Sequence, residues 1–261
     1  MTGGQQVERL AAPPLVTATD HDAAERLATA AGELLLEVRQ RGLEGAALKA
    51  AGDRASHEWL IAELTARFPD DAVLSEEGKD DPVRLGRDRV WIVDPLDGTR
   101  EFSEPPRVDW AVHVALAVEG TVVAGAVALP AAGTTLGTAR PQVLPSVPPR
   151  APRILVSRSR PTEHARLIAR HLDGELVPMG SAGAKAMAVV QGQADVYAHS
   201  GGQYEWDSAA PVAVAAAAGL HVSRLDGSPL RYNQPNPWLP DLLICRPELA
   251  STIIDLGLER A

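Results

Sequence analysis

Val90-Trp91-Ile92-Val93-Asp94-Pro95-Leu96-Asp97-Gly98-Thr99-Arg100-Glu101-Phe102 is the stretch on which the reading of this chain turns. It begins as a short apolar, β-branched run, which predicts a buried strand. The run ends at a carboxylate, and Pro95, with no N–H to give to a sheet, helps to turn the chain out of it. A second carboxylate, Asp97, follows, then Gly98 and Thr99. Two acids and a small, hydroxyl-bearing turn thus stand at the exit of a buried strand. Like charges crowded there are costly unless a cation neutralises them. Ligands that are all oxygen suit Mg²⁺ better than zinc or copper.

Working outward, residues 72–75 form a second short strand candidate, also ending in acid, Glu76-Glu77-Gly78. The charged residues 79–88 between them read as a solvated loop. Downstream, 111–118 and 122–129 are adjacent strand candidates, with Glu119-Gly120 as a hairpin turn. Upstream, Leu27, Ala31, Leu34, Leu35 and Val38 lie on a helical stripe over 24–40, with Asp20 and Asp22 as caps and Gly42 as the stop. Residues 47–49 read as a short strand broken by Gly52, and Asp53 as the start of a second helix carrying Leu60, Ile61, Leu64 and Phe68. Residues 1–19 read as a mobile tail. Residues 130–152, rich in Pro, Ala, Gly and Thr, hold room for one edge strand and end near a domain boundary. The expected division is 20–150, an α+β domain, and 151–261, an α/β domain. In the latter, strands at 154–157, 176–179, 194–198, 222–225 and 242–245 alternate with helices at 161–171, 182–191, after Trp206-Asp207, and at 247–258.

Composition bounds the function. The 261 residues, 45% hydrophobic and 4% aromatic, suffice for one large domain or two ordinary ones with an aliphatic core. A formal charge of −9 argues against a nucleic-acid polymer or an anionic membrane as partner. It leaves room for a small anionic substrate, since bound metal inverts the local field. Cys245 is the single cysteine, so no intrachain disulfide and no cysteine-based metal site exists. No signal-peptide pattern and no run near the roughly 20 apolar residues of a membrane span is present. A cytoplasmic protein is the expectation.

Taken one at a time, the acids have plain readings: Asp207 as a helix cap, Glu76-Glu77 as a solvated loop, Asp94 and Asp97 as an Asx-type turn. Together they resemble a family. Asp94-Pro95-Leu96-Asp97-Gly98-Thr99 is similar to the D-P-[hydrophobic]-D-G-T motif of the inositol monophosphatase-like, metal-dependent, lithium-sensitive phosphatases. Ser75-Glu76-Glu77 resembles that family's upstream acidic motif, and Trp206-Asp207-Ser208-Ala209-Ala210 its downstream W-D-x-A-[AG] motif. The resemblance covers residues 20–260. Asp97-Gly98-Thr99-Arg100-Glu101-Phe102 looks like the G-T-[KR]-E-F form of the CysQ-type 3′-phosphoadenosine-5′-phosphate phosphatases. Lys185 looks like the lysine of their G-S-S-x-K segment, although the serine lies one residue farther away in Gly180-Ser181-Ala182-Gly183-Ala184-Lys185. Ala198-His199 stand where these nucleotidases tend to carry arginine, which leaves Arg231 or Arg100 to meet a second phosphate.

The resemblance implies a five-layer α/β/α/β/α sandwich with the metals in a cleft between the halves, and homodimers are frequent in the family. It implies that Glu76, Asp94, the Leu96 carbonyl, Asp97 and Asp207 hold two or three Mg²⁺. One of these lowers the pKa of a bound water and another stabilises the leaving oxygen. It implies that Gly98 and Thr99 present N–H groups to the phosphate, Gly98 allowing close approach, and that Asp53 with the Thr99 hydroxyl orients or deprotonates the water. Glu76 joins Asp53 and Thr99 as catalytic. Leu96, Asp97, Gly98, Thr99, Lys185 and Asp207 form the substrate side. The expected reaction is removal of the 3′-phosphate of adenosine 3′,5′-bisphosphate to AMP, linked to sulfate assimilation. The alternatives are an inositol-phosphate or fructose-1,6-bisphosphate phosphatase of the same fold, or a non-catalytic phosphate sensor, which would lack a ligand or Thr99. A haloacid-dehalogenase motif needs acids two apart, whereas Asp94 and Asp97 are three apart. Ser157, Ser159 and Ser181 have no nearby base in the sequence, His113 reads as a structural mid-strand residue, and His199 as a candidate substrate contact.

Overall fold

The computed structural model describes residues 16–146, 150–158 and 161–258. The expected tail lies, up to residue 15, outside the described residues. In the first half come helices α1 (Ala18–Arg39) and α2 (Gly45–Arg67), strand β1 (Ala72–Ser75), a 3₁₀ turn over Pro82–Gly86, strand β2 (Arg89–Asp97) and the one-turn helix α3 (Thr99–Phe102). Strands β3 (Ala111–Val118), β4 (Thr121–Leu129) and β5 (Thr134–Gly137) follow. The second half runs β6 (Arg153–Ser157), α4 (Glu163–His171), β7 (Glu175–Met179), α5 (Ala182–Val190), β8 (Val196–Tyr204), α6 (Glu205–Ala217), β9 (His221–Ser223), β10 (Trp238–Cys245) and α7 (Pro247–Ile254).

The strands form two sheets, ordered β1-β2-β3-β4-β5 and β7-β6-β8-β10-β9. Strand alternation decides what each face meets. In the first sheet Trp91, Val93, Val112 and Val114 point to one side and pack with Leu27, Leu35, Leu60 and Leu64 of α1 and α2. Val90, Ile92, Ala111 and Ala115 point to the other side, where Met187 of α5 and Val214 of α6 meet them, and Leu242 and Ile244 close the same core from the second sheet. Beyond that sheet, Ile154 and Leu243 pack on Ile168 of α4 and Ile253 of α7. The result is the five-layer α/β/α/β/α sandwich, with α5 and α6 as its middle layer. Among the described residues no helix is long and apolar enough to cross a membrane.

The β3–β4 hairpin turns at Glu119 and Gly120, both at positive φ (49° and 75°), as the two-residue turn requires. On β2 the pairing with β3 shifts between Asp94 and Asp97. The irregularity falls around Pro95, and it lets the chain turn both acids toward the middle layer.

Several local expectations give way. Residues 47–49 are not a strand: α2 runs unbroken from Gly45 to Arg67, so Asp53 lies inside the helix rather than at its start. Gly52 is a packing residue, not a breaker: a Cβ there would come within 2.7 Å of Phe102 and 2.9 Å of Leu96. The cap of α1 is Thr17, whose backbone N–H donates to Asp20 at 2.7 Å, while Asp20 also pairs with Arg89 at 2.9 Å. The stretch 79–88 is not simply solvated. Arg84, 1% exposed, donates to Asp80 at 2.6 Å and to Asn233 at 2.7 Å, tying this loop to the far half of the chain.

Candidate active site

Three segments converge at the exit of β2. Asp94 and Asp97 come from β2 itself and Asp207 from the first turn of α6. One carboxylate oxygen of each lies within 4.8 Å of the other two. Asp207 is there because its other task is local: it accepts the Tyr204 N–H at 2.6 Å, closing the start of α6. The helix-cap reading of Asp207 and its place in the cluster are thus both realised. Glu76, just past β1, is not within that group of three. Its carboxyl lies against Asp94, with Asp97, Asp207 and Glu77 as further negative neighbours.

The charges report on one another. Asp94 is fully buried, and burial together with Glu76, Asp97 and Asp207 holds its carboxyl well above the usual carboxylate range. Burial, then the charge of Asp97, pushes Asp207 up to about 6. Glu76 rises to about 7, first because its carboxyl loses water and then through Asp207, Asp97 and Glu77, although the residue as a whole is exposed. Asp97 goes the other way. Burial would raise it, but His113, Ser181 and the Gly183 N–H outweigh that and hold it well below the usual range. An all-oxygen group in which Asp94, Asp207 and Glu76 resist ionisation for want of positive charge is the donor set a hard divalent cation fits.

Beside this cluster the Thr99 hydroxyl, at the start of α3, donates to the Leu96 carbonyl at 3.2 Å and to Asp53 at 3.4 Å. Burial and then Glu77 raise Asp53 to about 6. Because α2 is continuous, Asp53 is free of any capping role, and the close seating of Gly52 against Leu96 and Phe102 sets its distance from Thr99. Gly98 sits at φ 85°, in the left-handed region, and a Cβ would crowd Ser181, Asp109 and Trp110 at 3.2–3.3 Å. Its glycine is therefore required by the backbone and by the packing of the protein itself.

On the other side of Asp97 opens a cavity of about 360 Å³, lined by Asp97, Asp207, Lys185, Tyr197, Tyr204 and Trp238 among others. Lys185, 6% exposed, donates to the Ser181 carbonyl at 2.5 Å and lies 5.1 Å from the Tyr197 ring centre. Burial draws its ammonium down. His199 also lines this cavity, whereas Arg100 and Arg231 do not. Arg100 pairs outward with Glu104 at 3.1 Å. Glu101 does not line it either: it is buried against Gly180 and pairs with Arg158 at 2.6 Å, bracing the turn that leads into Lys185.

The sequence reading gave His113 a structural place and Ser181 no nearby base, and gave Gly183 no role. All three meet one oxygen of Asp97, Ser181 Oγ at 2.5 Å, the Gly183 N–H at 2.7 Å and His113 Nε2 at 3.1 Å. The visible signal was the displaced serine in the 180–185 segment. From that place Ser181 caps α5, accepting the Ala184 N–H at 2.9 Å, and reaches Asp97 at the same time.

The profile of the inositol monophosphatase family matches residues 17–255. The chain is 52% identical over 250 residues to a 3′-phosphoadenosine 5′-phosphate phosphatase of Mycobacterium leprae, covering 90% of this chain and 92% of that one. It is 33% identical over 195 residues to the 3′(2′),5′-bisphosphate nucleotidase CysQ of Escherichia coli, covering 70% and 78%. The crystal structure of CysQ from Bacteroides thetaiotaomicron, a bacterial member of the inositol monophosphatase family, superposes with a TM-score of 0.77 at 28% identity, covering 89% of this chain and 99% of that one. The chain belongs to the inositol monophosphatase family.

Proposed function

We propose that this chain is a Mg²⁺-dependent phosphatase that removes the 3′-phosphate of adenosine 3′,5′-bisphosphate, giving AMP and phosphate. The observation that carries the reading is the carboxylate cluster of Asp94, Asp97 and Asp207 set between the Asp53–Thr99 pair and the Lys185-lined cavity. The likeness to 3′-phosphoadenosine 5′-phosphate phosphatases supports the choice of substrate.

Glu76, Asp94, Asp97, Asp207 and the second lone pair of the Leu96 carbonyl would hold the cations. Bound there, Mg²⁺ supplies Lewis acidity to a phosphoryl group and to water. The chain's own residues do the rest. The Thr99 hydroxyl, donating toward Asp53, turns a lone pair to the attacking water. Asp53, with its carboxyl raised to about 6, is suited to take the proton near neutral pH. The N–H groups of Gly98 and Thr99 steady the phosphate. Lys185 spends two N–H bonds on the Ser181 and Gly180 carbonyls, which leaves the third for the second phosphate of the nucleotide. Tyr204 and Trp238 offer apolar surface beside it.

The test is phosphate release from adenosine 3′,5′-bisphosphate with Mg²⁺, beside inositol 1-phosphate and fructose 1,6-bisphosphate, with and without lithium. A lithium-sensitive preference for the nucleotide supports the proposal. Equal or greater turnover of a sugar phosphate overturns the substrate while leaving the metal chemistry. No turnover of any of the three, with Mg²⁺ bound, overturns the enzyme reading.

A further inference from the structure

His113 is fully buried on β3, directly opposite Asp94 in the β2–β3 register. Cross-strand partners share a face, so both side chains point into the middle layer. The neighbours of His113 on that face are Ala111, Ala115 and Ala117, which leave space for an imidazole. Its Nδ1 lies 3.0 Å from the Trp206 carbonyl, in the first turn of α6 and next to Asp207. Its Nε2 lies 3.1 Å from Asp97 Oδ2, in an ionic contact rather than an aligned hydrogen bond. Both facing atoms, the Trp206 carbonyl and the Asp97 carboxylate, are acceptors. The same Asp97 oxygen receives Ser181 Oγ and the Gly183 N–H. With two hydrogen bonds and the imidazole contact on Oδ2, Oδ1 is the oxygen left for a cation.

Gly183 completes the arrangement. A Cβ on it would stand 2.1 Å from His113 Nε2 and 3.1 Å from Ala111. The imidazole occupies the space that a side chain at 183 would need.

We propose that His113 is a positioning residue of the cation site. It spans from Asp97 at the end of β2 to the first turn of α6, fixing which oxygen of Asp97 faces the cation and how far Asp97 stands from Asp207, and Gly183 is glycine because His113 is there. The inference rests on the phosphatase reading only for the divalent cation. It goes beyond that reading in assigning work to two residues that touch neither substrate nor metal.

The experiment is calorimetric titration of the metal-stripped protein with Mg²⁺, with kcat and KM measured alongside, for the parent, His113→Ala, Gly183→Ala and the double variant His113→Asn/Gly183→Ala. Removing the partner that orients a metal ligand costs about 10- to 100-fold in metal affinity or activity. His113→Ala is expected to weaken Mg²⁺ binding by about tenfold or more and to lower kcat, with KM for the nucleotide unchanged, because His113 does not line the cavity. Gly183→Ala is expected to do the same by driving the imidazole off Asp97. The double variant, in which a shorter amide makes room and still donates, is expected to bind Mg²⁺ more tightly than Gly183→Ala alone. Folded His113→Ala protein that binds Mg²⁺ like the parent overturns the proposal. Should His113→Ala not fold, parental Mg²⁺ affinity in Gly183→Ala, or equal loss with and without the His113 change, overturns it instead. Failure of the parent itself to bind Mg²⁺ would sink the phosphatase reading, a result distinct from either.

Discussion

Replacing Asp207 by asparagine removes one negative charge and keeps the shape of the side chain. The amide oxygen can still accept the Tyr204 N–H that closes α6. In the metal-free protein the charge is a liability. Burial, and then Asp97, raise the Asp207 carboxyl from 3.8 to about 6, against the pull of the Tyr204 N–H, His113 and Lys185. Each pH unit of such a rise is worth about 1.4 kcal/mol, so full ionisation of Asp207 costs the folded, metal-free state about 3 kcal/mol. Screening by water at the edge of the cavity brings the expected relief to about half of that, roughly 1.5 kcal/mol. For a chain of this size that is a rise in Tm of about 3–6 °C. The sign follows from linkage. A carboxyl whose folded value lies above its unfolded one favours the fold while protonated, and that advantage is lost as pH rises through the folded value. The gain from Asp207→Asn should therefore be absent near pH 4 and complete above pH 7. Thermal unfolding in EDTA across this range measures it. In saturating Mg²⁺ the order should reverse, because the parent then gains binding energy the variant lacks, and turnover should be lost. An Asp207→Asn variant less stable than the parent in EDTA at pH 7.5, or a gain of the same size at pH 4.5, would refute the reasoning.

Three more outcomes are expected. In EDTA the parent's Tm should fall as pH rises from about 4 to about 7, the window in which Asp53, Glu76 and Asp207, raised to about 6, 7 and 6, ionise; Mg²⁺ should then add most stability above pH 7, and a pH-independent increment would count against a carboxylate metal site. Thr99→Ala should lower kcat by about 10²- to 10⁴-fold while Mg²⁺ affinity stays near parental, and less than a tenfold loss would remove Thr99 from the proton path. Gly52→Ala should destabilise the protein by up to about 2 kcal/mol: the gain in helix propensity, about 1 kcal/mol, is set against overpacking of about 1–3 kcal/mol, whose upper part applies since Phe102 is fully buried and held edge-on to Trp110 at 5.0 Å; a stabilised variant in chemical denaturation would show that Leu96 and Phe102 yield.

Much of the fold was legible in the sequence, and for a local reason. Strand alternation and helical periodicity are properties of consecutive residues, so β2, the β3–β4 hairpin, α1 and the alternating second half could be read directly, with boundaries moved by a few positions. The three acidic motifs are contiguous as well, and the structure brings Asp94, Asp97 and Asp207 within 4.8 Å of one another, with Glu76 against Asp94 rather than inside that group. Where a residue's meaning depended on a distant segment, the local reading went astray. Gly52 has the composition of a helix breaker, and only the ring of Phe102 above it shows why a continuous helix needs it. The charged run 79–88 looks solvated, and only Asn233 from the other half shows that Arg84 is buried.

The sequence by itself determined the chemical groups on offer: carboxylates at a strand exit, a hydroxyl beside them, and no sulfur or histidine set to compete. The tertiary structure decided how those groups are held. His113 lies mid-strand among small residues, where nothing in its neighbourhood along the chain points to Asp97, and the Gly183 N–H and Ser181 Oγ that join it are supplied from the second half. A side chain's identity states what it can donate or accept. Which oxygen it meets, and whether a Cβ fits beside it, is set by packing between segments far apart in the chain, which no local pattern encodes.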